Sequence, residues 1–341
     1  MPFRDIVGHR TLVSLLTRSI ARASLPPSLI FSGPSGIGKR MAAMATAQAL
    51  NCLEPVALPD TGDGAGVDAC GTCASCRRIE RGVHPDVLLI QPNDKGNIKI
   101  DVVRDAIERA AYRPFEGRRR VTIVESADGL ENSAQNALLK LLEEPPPSSV
   151  FILVTSLPDT LLITVRSRCP QLRFRGLATD DVVSLMQARG VDERRARAAA
   201  LVADGSLGDA LTAADAEDDD TDVREVALRV LVQAAMSDDG KRRIESAKEL
   251  VPKASGGVSE RDQLALYLRA MSSLLRDVLL LSTGADTASL ANRDLRPALE
   301  RLTAFGDERG RTAFAAVDRA LVALGRYANA KVVADWLVLQ L

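Results

Sequence analysis

Gly33-Pro34-Ser35-Gly36-Ile37-Gly38-Lys39-Arg40 follows the apolar run Ser28-Leu29-Ile30-Phe31-Ser32 and precedes a helical pattern from Met41 to Leu50. Strand, glycine-rich turn and helix, in that order, form the setting in which a phosphate-binding loop is credible. Backbone N–H groups of the turn and of the helix N-terminus would cradle an anion, and Lys39 would add a point charge. Gly33, Gly36, Gly38 and Lys39 are therefore the candidate nucleotide-binding residues, with ATP or ADP as the ligand. The last position departs from the pattern. A working loop ends in Lys followed by Ser or Thr, whose hydroxyl holds Mg²⁺. Arg40 lacks a hydroxyl and brings a second positive charge to that place. The bland alternative is a turn kept for packing the sheet, with its pocket empty.

Working outward from the loop, the chain alternates between strand and helix. Residues 8–23 carry Leu12, Leu15, Leu16 and Ile20 at helical spacing. Asp86 to Ile90, Arg120 to Val124, Val150 to Val154 and Leu172 to Phe174 are short apolar runs, hence buried strands. Between them, Ile100 to Tyr112 has helical spacing with Asp101 as a cap, and Leu130 to Glu143 is a helix stopped by Pro145-Pro146-Pro147. This order predicts an α/β domain: a five-stranded parallel sheet of the P-loop type, covered on both faces. After about residue 177 strand-like runs become scarce. Residues 179–213 read as a small helical unit, and Asp215 to Asp222 as an acidic solvated linker or helix start. From 223 to 341 about five helices are expected: 223–236, 241–253, 260–282, 294–304 and 311–340 with a break.

Composition narrows the classes. With 341 residues and 46% hydrophobic content, the chain can bury more than one core. A net charge of −1 gives no general pull toward nucleic acid. No run of about 18 apolar residues exists and Met1 to Asp5 has no hydrophobic signal core, so the expected compartment is the cytoplasm. Two histidines, His9 and His84, make a histidine-based catalytic centre improbable.

Cys70, Cys73 and Cys76 form two overlapping Cys-x-x-Cys steps, and Cys52 precedes them at a helix end. Four thiolates can close a tetrahedral zinc site with Zn–S near ~2.3 Å and no open position, which makes the site structural. The fourth ligand is expected to be Cys52, with Asp68 or His84 as substitutes. A redox pair suits the pattern less well, because a third cysteine at the same spacing has no role in it. The stretch Leu53 to Val67, with two prolines and three glycines, has no periodicity and reads as a surface loop. Cys169 lies at a strand start before Pro170 and is left out of the site.

The strand at 120–124 ends in Glu125-Ser126-Ala127-Asp128. In a P-loop ATPase a later strand ends in acids that hold Mg²⁺ and orient the attacking water. Here the adjacent acidic pair is missing, and Glu125 and Asp128 read equally well as solvated residues at a strand-to-helix junction. Arg113, Arg118, Arg119 and Arg120 form a cluster that would suit phosphate contact, although such clusters are usually just solvated.

The loop, the cysteine cluster, the run Asn136-Ala137-Leu138-Leu139-Lys140-Leu141-Leu142-Glu143-Glu144-Pro145-Pro146 and Ser167-Arg168-Cys169 together resemble subunits of the bacterial DNA polymerase III sliding-clamp loader. The resemblance implies an AAA+ domain with a cysteine-bearing insert at 52–76 (1–177), a helical lid (178–213) and a C-terminal helical collar for oligomerisation (214–341). It makes Arg168 an arginine finger offered in trans to a neighbour's ATP, where a guanidinium stabilises the transferring phosphoryl group. Arg166 is the nearest competitor.

Two kinds of subunit in that family share the cysteine site: the ATP-hydrolysing tau/gamma motor and the non-hydrolysing delta-prime. Arg40, the Glu125 to Asp128 sequence, and Gly208 where the motor carries a nucleotide-sensing arginine all favour delta-prime. The implied partners are tau/gamma and delta in a hetero-pentamer, with the sliding clamp and primer-template DNA reached through the complex. No turnover is expected of the isolated chain. The rival readings are the motor subunit itself and an unrelated P-loop kinase.

Overall fold

The computed structural model describes residues 1–59, 64–93, 96–203, 205–216, 223–236, 239–251, 260–284, 290, 292–325 and 328–341. The chain forms two compact units, Met1–Leu177 and Ala178–Leu341. In the first, α1 (Arg10–Ala21) leads to β1 (Ser28–Ser32), the glycine loop and α2 (Lys39–Asn51). Then come β2 (Val56–Leu58), β3 (Gly66–Asp68), α3 (Ala74–Glu80), β4 (Val87–Ile90), α4 (Ile100–Ala111), β5 (Arg120–Val124), α5 (Asn132–Glu143), β6 (Ser149–Thr155), α6 (Ile163–Arg166) and β7 (Gln171–Arg173).

Five strands make one parallel sheet in the order β4-β5-β6-β1-β7. Every residue of β1 and β6 is buried. Their side chains alternate between two cores, as the two-residue period of a strand requires. Leu29, Phe31, Val121, Ile123, Val150, Ile152 and Val154 pack with α1 and α2. Ile30, Val124, Phe151 and Leu153 pack with α4 and α5 on the other face. Each large apolar side chain so buried contributes roughly 1.5–3 kcal/mol. The expected five-stranded P-loop-type sheet is thus present, and α2 lies close against it through Ala42, Ala43, Ala45, Ala47 and Ala49.

Two local expectations are corrected. Leu53 to Val67 is not wholly loop: β2 and β3 form an antiparallel ribbon in register Val56↔Asp68, Ala57↔Val67 and Leu58↔Gly66, while residues 60–63 lie outside the described residues. Its strands are three residues long with an exposed start, so no alternation announces them; a close approach to α1 holds them, where a Cβ on Gly66 would meet Thr17 Oγ1 at 2.9 Å. Asp101 is not the cap of α4. Lys99 holds that position, and Asp101 is an acid in the first turn that favours the helix dipole.

The second unit holds α7 (Thr179–Gln187), α8 (Glu193–Val202), α9 (Leu207–Ala216), α10 (Val223–Met236), α11 (Gly240–Leu250) and α12 (Glu260–Ser282). It ends with α13 (Arg296–Leu299), α14 (Glu308–Gly325) and α15 (Ala330–Gln340). No strand occurs among its described residues. Most of the acidic stretch expected as a linker, residues 217–222, lies outside the described residues, as do 252 and 253. The helix expected over 294–304 is broken instead into a 3₁₀ turn, the four-residue α13 and a second 3₁₀ stretch kinked at Leu302. Pro297, in the first turn of α13, lacks the N–H that would continue a longer helix through it.

Candidate functional site

The loop between β1 and α2 is shaped by three glycines with positive φ: Gly33 at 142°, Gly36 at 70° and Gly38 at 95°. Gly33 is required for a further reason, since a Cβ there would lie 2.3 Å from the carbonyl oxygen of Phe174. His9 steadies the turn, its Nε2 lying 2.8 Å from the Ile37 carbonyl and its ring edge-on to Phe174. Lys39 is buried and donates from Nζ to the carbonyl oxygens of Gly33, at 2.6 Å, and of Pro34.

A cavity of about 350 Å³ opens in front of this loop, lined by Ser35, Gly36 and residues 38–41, and by Glu125, Ser126, Val154, Thr155 and Ser156 from the ends of β5 and β6. It lies at the carboxyl ends of parallel strands, the usual place for a ligand in such a sheet. The ion pair across it was not legible in the sequence: Arg40 Nη1 is 3.5 Å from Glu125 Oε1. The other Glu125 oxygen accepts from Gln91 Nε2 at 2.9 Å. Asp128 is also engaged, accepting at Oδ1 from Thr155 Oγ1 at 2.6 Å and from the Ser156 N–H at 3.2 Å. Mg²⁺ requires near-octahedral oxygen donors at ~2.0–2.1 Å. These residues do not fit that ion: Arg40 stands where a hydroxyl should follow Lys39, and Glu125, the acid in the lining, is paired with that arginine. Thr155 and Ser156 escaped the sequence reading. Pairing of β6 with β1 puts its end beside the loop, and only the strand order reveals that.

Arg168 follows α6 and precedes the start of β7, on the opposite side of the sheet from the loop in a parallel arrangement. It is absent from the cavity lining. Its guanidinium pairs with Glu143 at the end of α5 and donates to the Thr164 carbonyl at 2.8 Å, and its side chain is 34% exposed. Arg166, the competitor, pairs with Asp159. Cys169 is buried among Val165, Phe151 and Leu161, where burial pushes its thiol up to about 11 despite the neighbouring Arg168.

Cys52, Cys70, Cys73 and Cys76 gather at the far end of α2, with all four sulfurs within 4.8 Å of one another and none in a disulfide. Such spacing fits a tetrahedral metal, and the cluster could hold one. Backbone N–H groups of Cys70, Cys73 and Cys76 donate to the sulfurs of Cys52, Cys70 and Cys73 at 3.2, 3.3 and 3.5 Å. Burial acts to raise the Cys70 thiol, but N–H donors from Cys73 and Thr72 outweigh it and bring it down to about 6, toward the thiolate a metal needs. Burial pushes the Cys76 thiol up instead.

Neither substitute ligand belongs to the cluster. Asp68 accepts from the N–H groups of Phe3, Arg4 and Ala69. His84 accepts at Nδ1 from the Asp86 N–H at 3.1 Å, which leaves the proton on Nε2, facing Ser75 and Glu116. That tautomer also prevents His84 from acting as a base toward Ser75.

The arginine cluster is only partly solvated. Arg120 is held by Asp86 at 3.0 Å and donates to the carbonyls of Arg109 and Arg113, so it is not a phosphate contact; Arg119 donates to the Pro147 carbonyl. Arg113 and Arg118 remain exposed.

Residues 8–178 match the sequence family described as DNA polymerase III, delta subunit. DNA polymerase III subunit tau of Salmonella typhimurium (strain LT2) is 34% identical over 219 residues, covering 62% of this chain and 32% of that protein. DNA polymerase III subunit delta' of Bacillus subtilis (strain 168) is 33% identical over 186 residues, covering 54% of this chain and 53% of that protein. The chain thus spans about a third of the tau relative and half of the delta' relative. A crystal structure of a gamma subunit-related protein of DNA polymerase III from Thermotoga maritima covers 95% of this chain and 96% of its own, with 16% identity and a loose superposition of TM-score 0.40. Because the family match extends over half the sequence, this chain belongs to the family of DNA polymerase III subunits described as the delta subunit.

Proposed function

We propose that this chain is the delta-prime subunit of its clamp loader, a non-hydrolysing member that assembles with tau/gamma and delta in a hetero-pentamer to place the sliding clamp on primed DNA. The observation that carries this reading is the Arg40–Glu125 pair, 3.5 Å apart, standing where the ATPase machinery needs a hydroxyl, a metal and a free acid. Gly208, exposed on α9, offers no side chain with which to sense a nucleotide. Arg168 is half-exposed and away from its own loop, which suits a guanidinium given to the ATP of a neighbouring subunit. Cys52, Cys70, Cys73 and Cys76 hold a structural zinc that fixes the insert. Residues 178–213 form the lid and 214–341 the collar.

The rival reading is the tau/gamma motor, favoured by the otherwise intact loop from Gly33 to Lys39 and by the identity with tau. Steady-state ATP hydrolysis by the isolated chain separates the two. No turnover above background is expected; Mg²⁺-dependent turnover that Lys39→Ala abolishes would overturn the delta-prime reading.

A further inference from the structure

We infer that the loop pocket is a metal-independent site for the diphosphate group of a nucleotide, in which the Arg40 guanidinium takes the place of the divalent cation. The inference rests on reading the loop as a phosphate cradle, and is independent of the chain's place in a complex. Among the described residues, the acid in the lining, Glu125, already accepts from Arg40 and Gln91, and Asp128 behind it accepts from Thr155 and Ser156. Neither of these two acids stands free for a cation among the described residues. The rest of the lining can donate: it includes Arg40, Ser35, Ser156 and Lys39, whose ammonium is held by the Gly33 and Pro34 carbonyls, and the first turn of α2, whose N–H groups have no carbonyl partner within the helix. A lining with two positive side chains and an acid already engaged by one of them favours an anion over a metal–anion complex. The cavity, about 350 Å³, is within the range of ligand sites.

The pair with Glu125 is a holding position for Arg40. The guanidinium is 51% exposed and the pair is 3.5 Å long, so solvent screens it and the side chain can exchange its partner at low cost. A diphosphate offers the planar guanidinium two oxygens at once, a stronger contact than this one. Free Mg²⁺ then works against binding. It shields the diphosphate and, if carried into the pocket, places its charge against Arg40.

The test is isothermal titration of the full chain with ADP, and separately with inorganic pyrophosphate, in EDTA and in excess Mg²⁺. ADP is expected to bind in EDTA and to bind more weakly in Mg²⁺. Arg40→Ala should weaken binding in EDTA by roughly tenfold or more, as loss of a charge-assisted contact implies. Glu125→Gln should tighten it, and Arg40→Thr should make Mg²⁺ favourable. Thermal melts of each variant establish that it is folded. Absence of ADP binding in both buffers, tighter binding by the unmodified chain in Mg²⁺, or full affinity in folded Arg40→Ala would each overturn the inference. None of these results bears on whether the chain takes its place in a clamp loader, which the turnover assay and reconstitution test separately.

Discussion

Asp86 shows how much one buried carboxylate can organise. It is fully enclosed and accepts from the N–H groups of Phe115, Glu116 and Gly117 at 2.7, 2.9 and 2.8 Å, and from Arg120 at 3.0 Å. Burial works against its charge, yet these donors outweigh burial and hold the carboxyl below the usual range. Asp86→Asn would set an NH₂ against donors that need an acceptor, at a cost of about 2–4 kcal/mol measured by urea unfolding. The sign of the pH effect follows from the depressed value. Between the folded pKa and the unfolded one, near ~3.9, the unfolded chain binds more protons, so Asp86 stabilises fully above about pH 5 and its contribution is lost as pH falls through the folded value. The Asn variant should show a flatter acid limb. Sequence alone assigned Asp86 only to the start of a strand, because its partners come from a loop beyond α4. Arg40 and Glu125 were legible singly, as two departures from an ATPase pattern. Their meeting was not, since β5 and β1 are separated by β6, about 10 Å apart at the usual strand spacing, and a long arginine bridges the gap.

At the scale of elements, α2 links the two candidate sites. Its first residue is Lys39 and its C-cap is Cys52, and thirteen residues at ~1.5 Å each put the loop about 20 Å from the cysteine cluster. Gln48 ties the helix to the insert by donating to the Cys76 carbonyl at 2.9 Å. The long periodic helices and continuous apolar strands were readable because burial on a face imposes a period. The ribbon β2–β3 and α3 were not, because short elements stabilised by contacts with α1 and by the cysteines leave no period of their own. Elemental analysis should find about one zinc per chain. Cys73→Ser should lose it, and hydrogen exchange should then quicken across 52–80 while β1 and β6 stay protected. Metal retained in Cys73→Ser, or none in the unmodified chain, would contradict the structural site.

For the whole molecule, the change from α/β to all-α character near residue 177 was visible in composition and coincides with the division into two compact units. What composition could not give is a role, since a sheet with a degenerate loop is compatible with a motor, a partner of a motor or a packing relic. As the proposed partner of a motor, this chain would supply Arg168 to a catalytic site it does not own. The direct measurement is the DNA-stimulated ATPase of a complex reconstituted from this chain, tau/gamma and delta, compared with the same complex carrying Arg168→Ala. Assembly should survive while hydrolysis at the neighbouring site falls on the order of 10³-fold, the scale of a lost arginine finger. Unchanged ATPase and clamp loading in the variant complex would contradict the account.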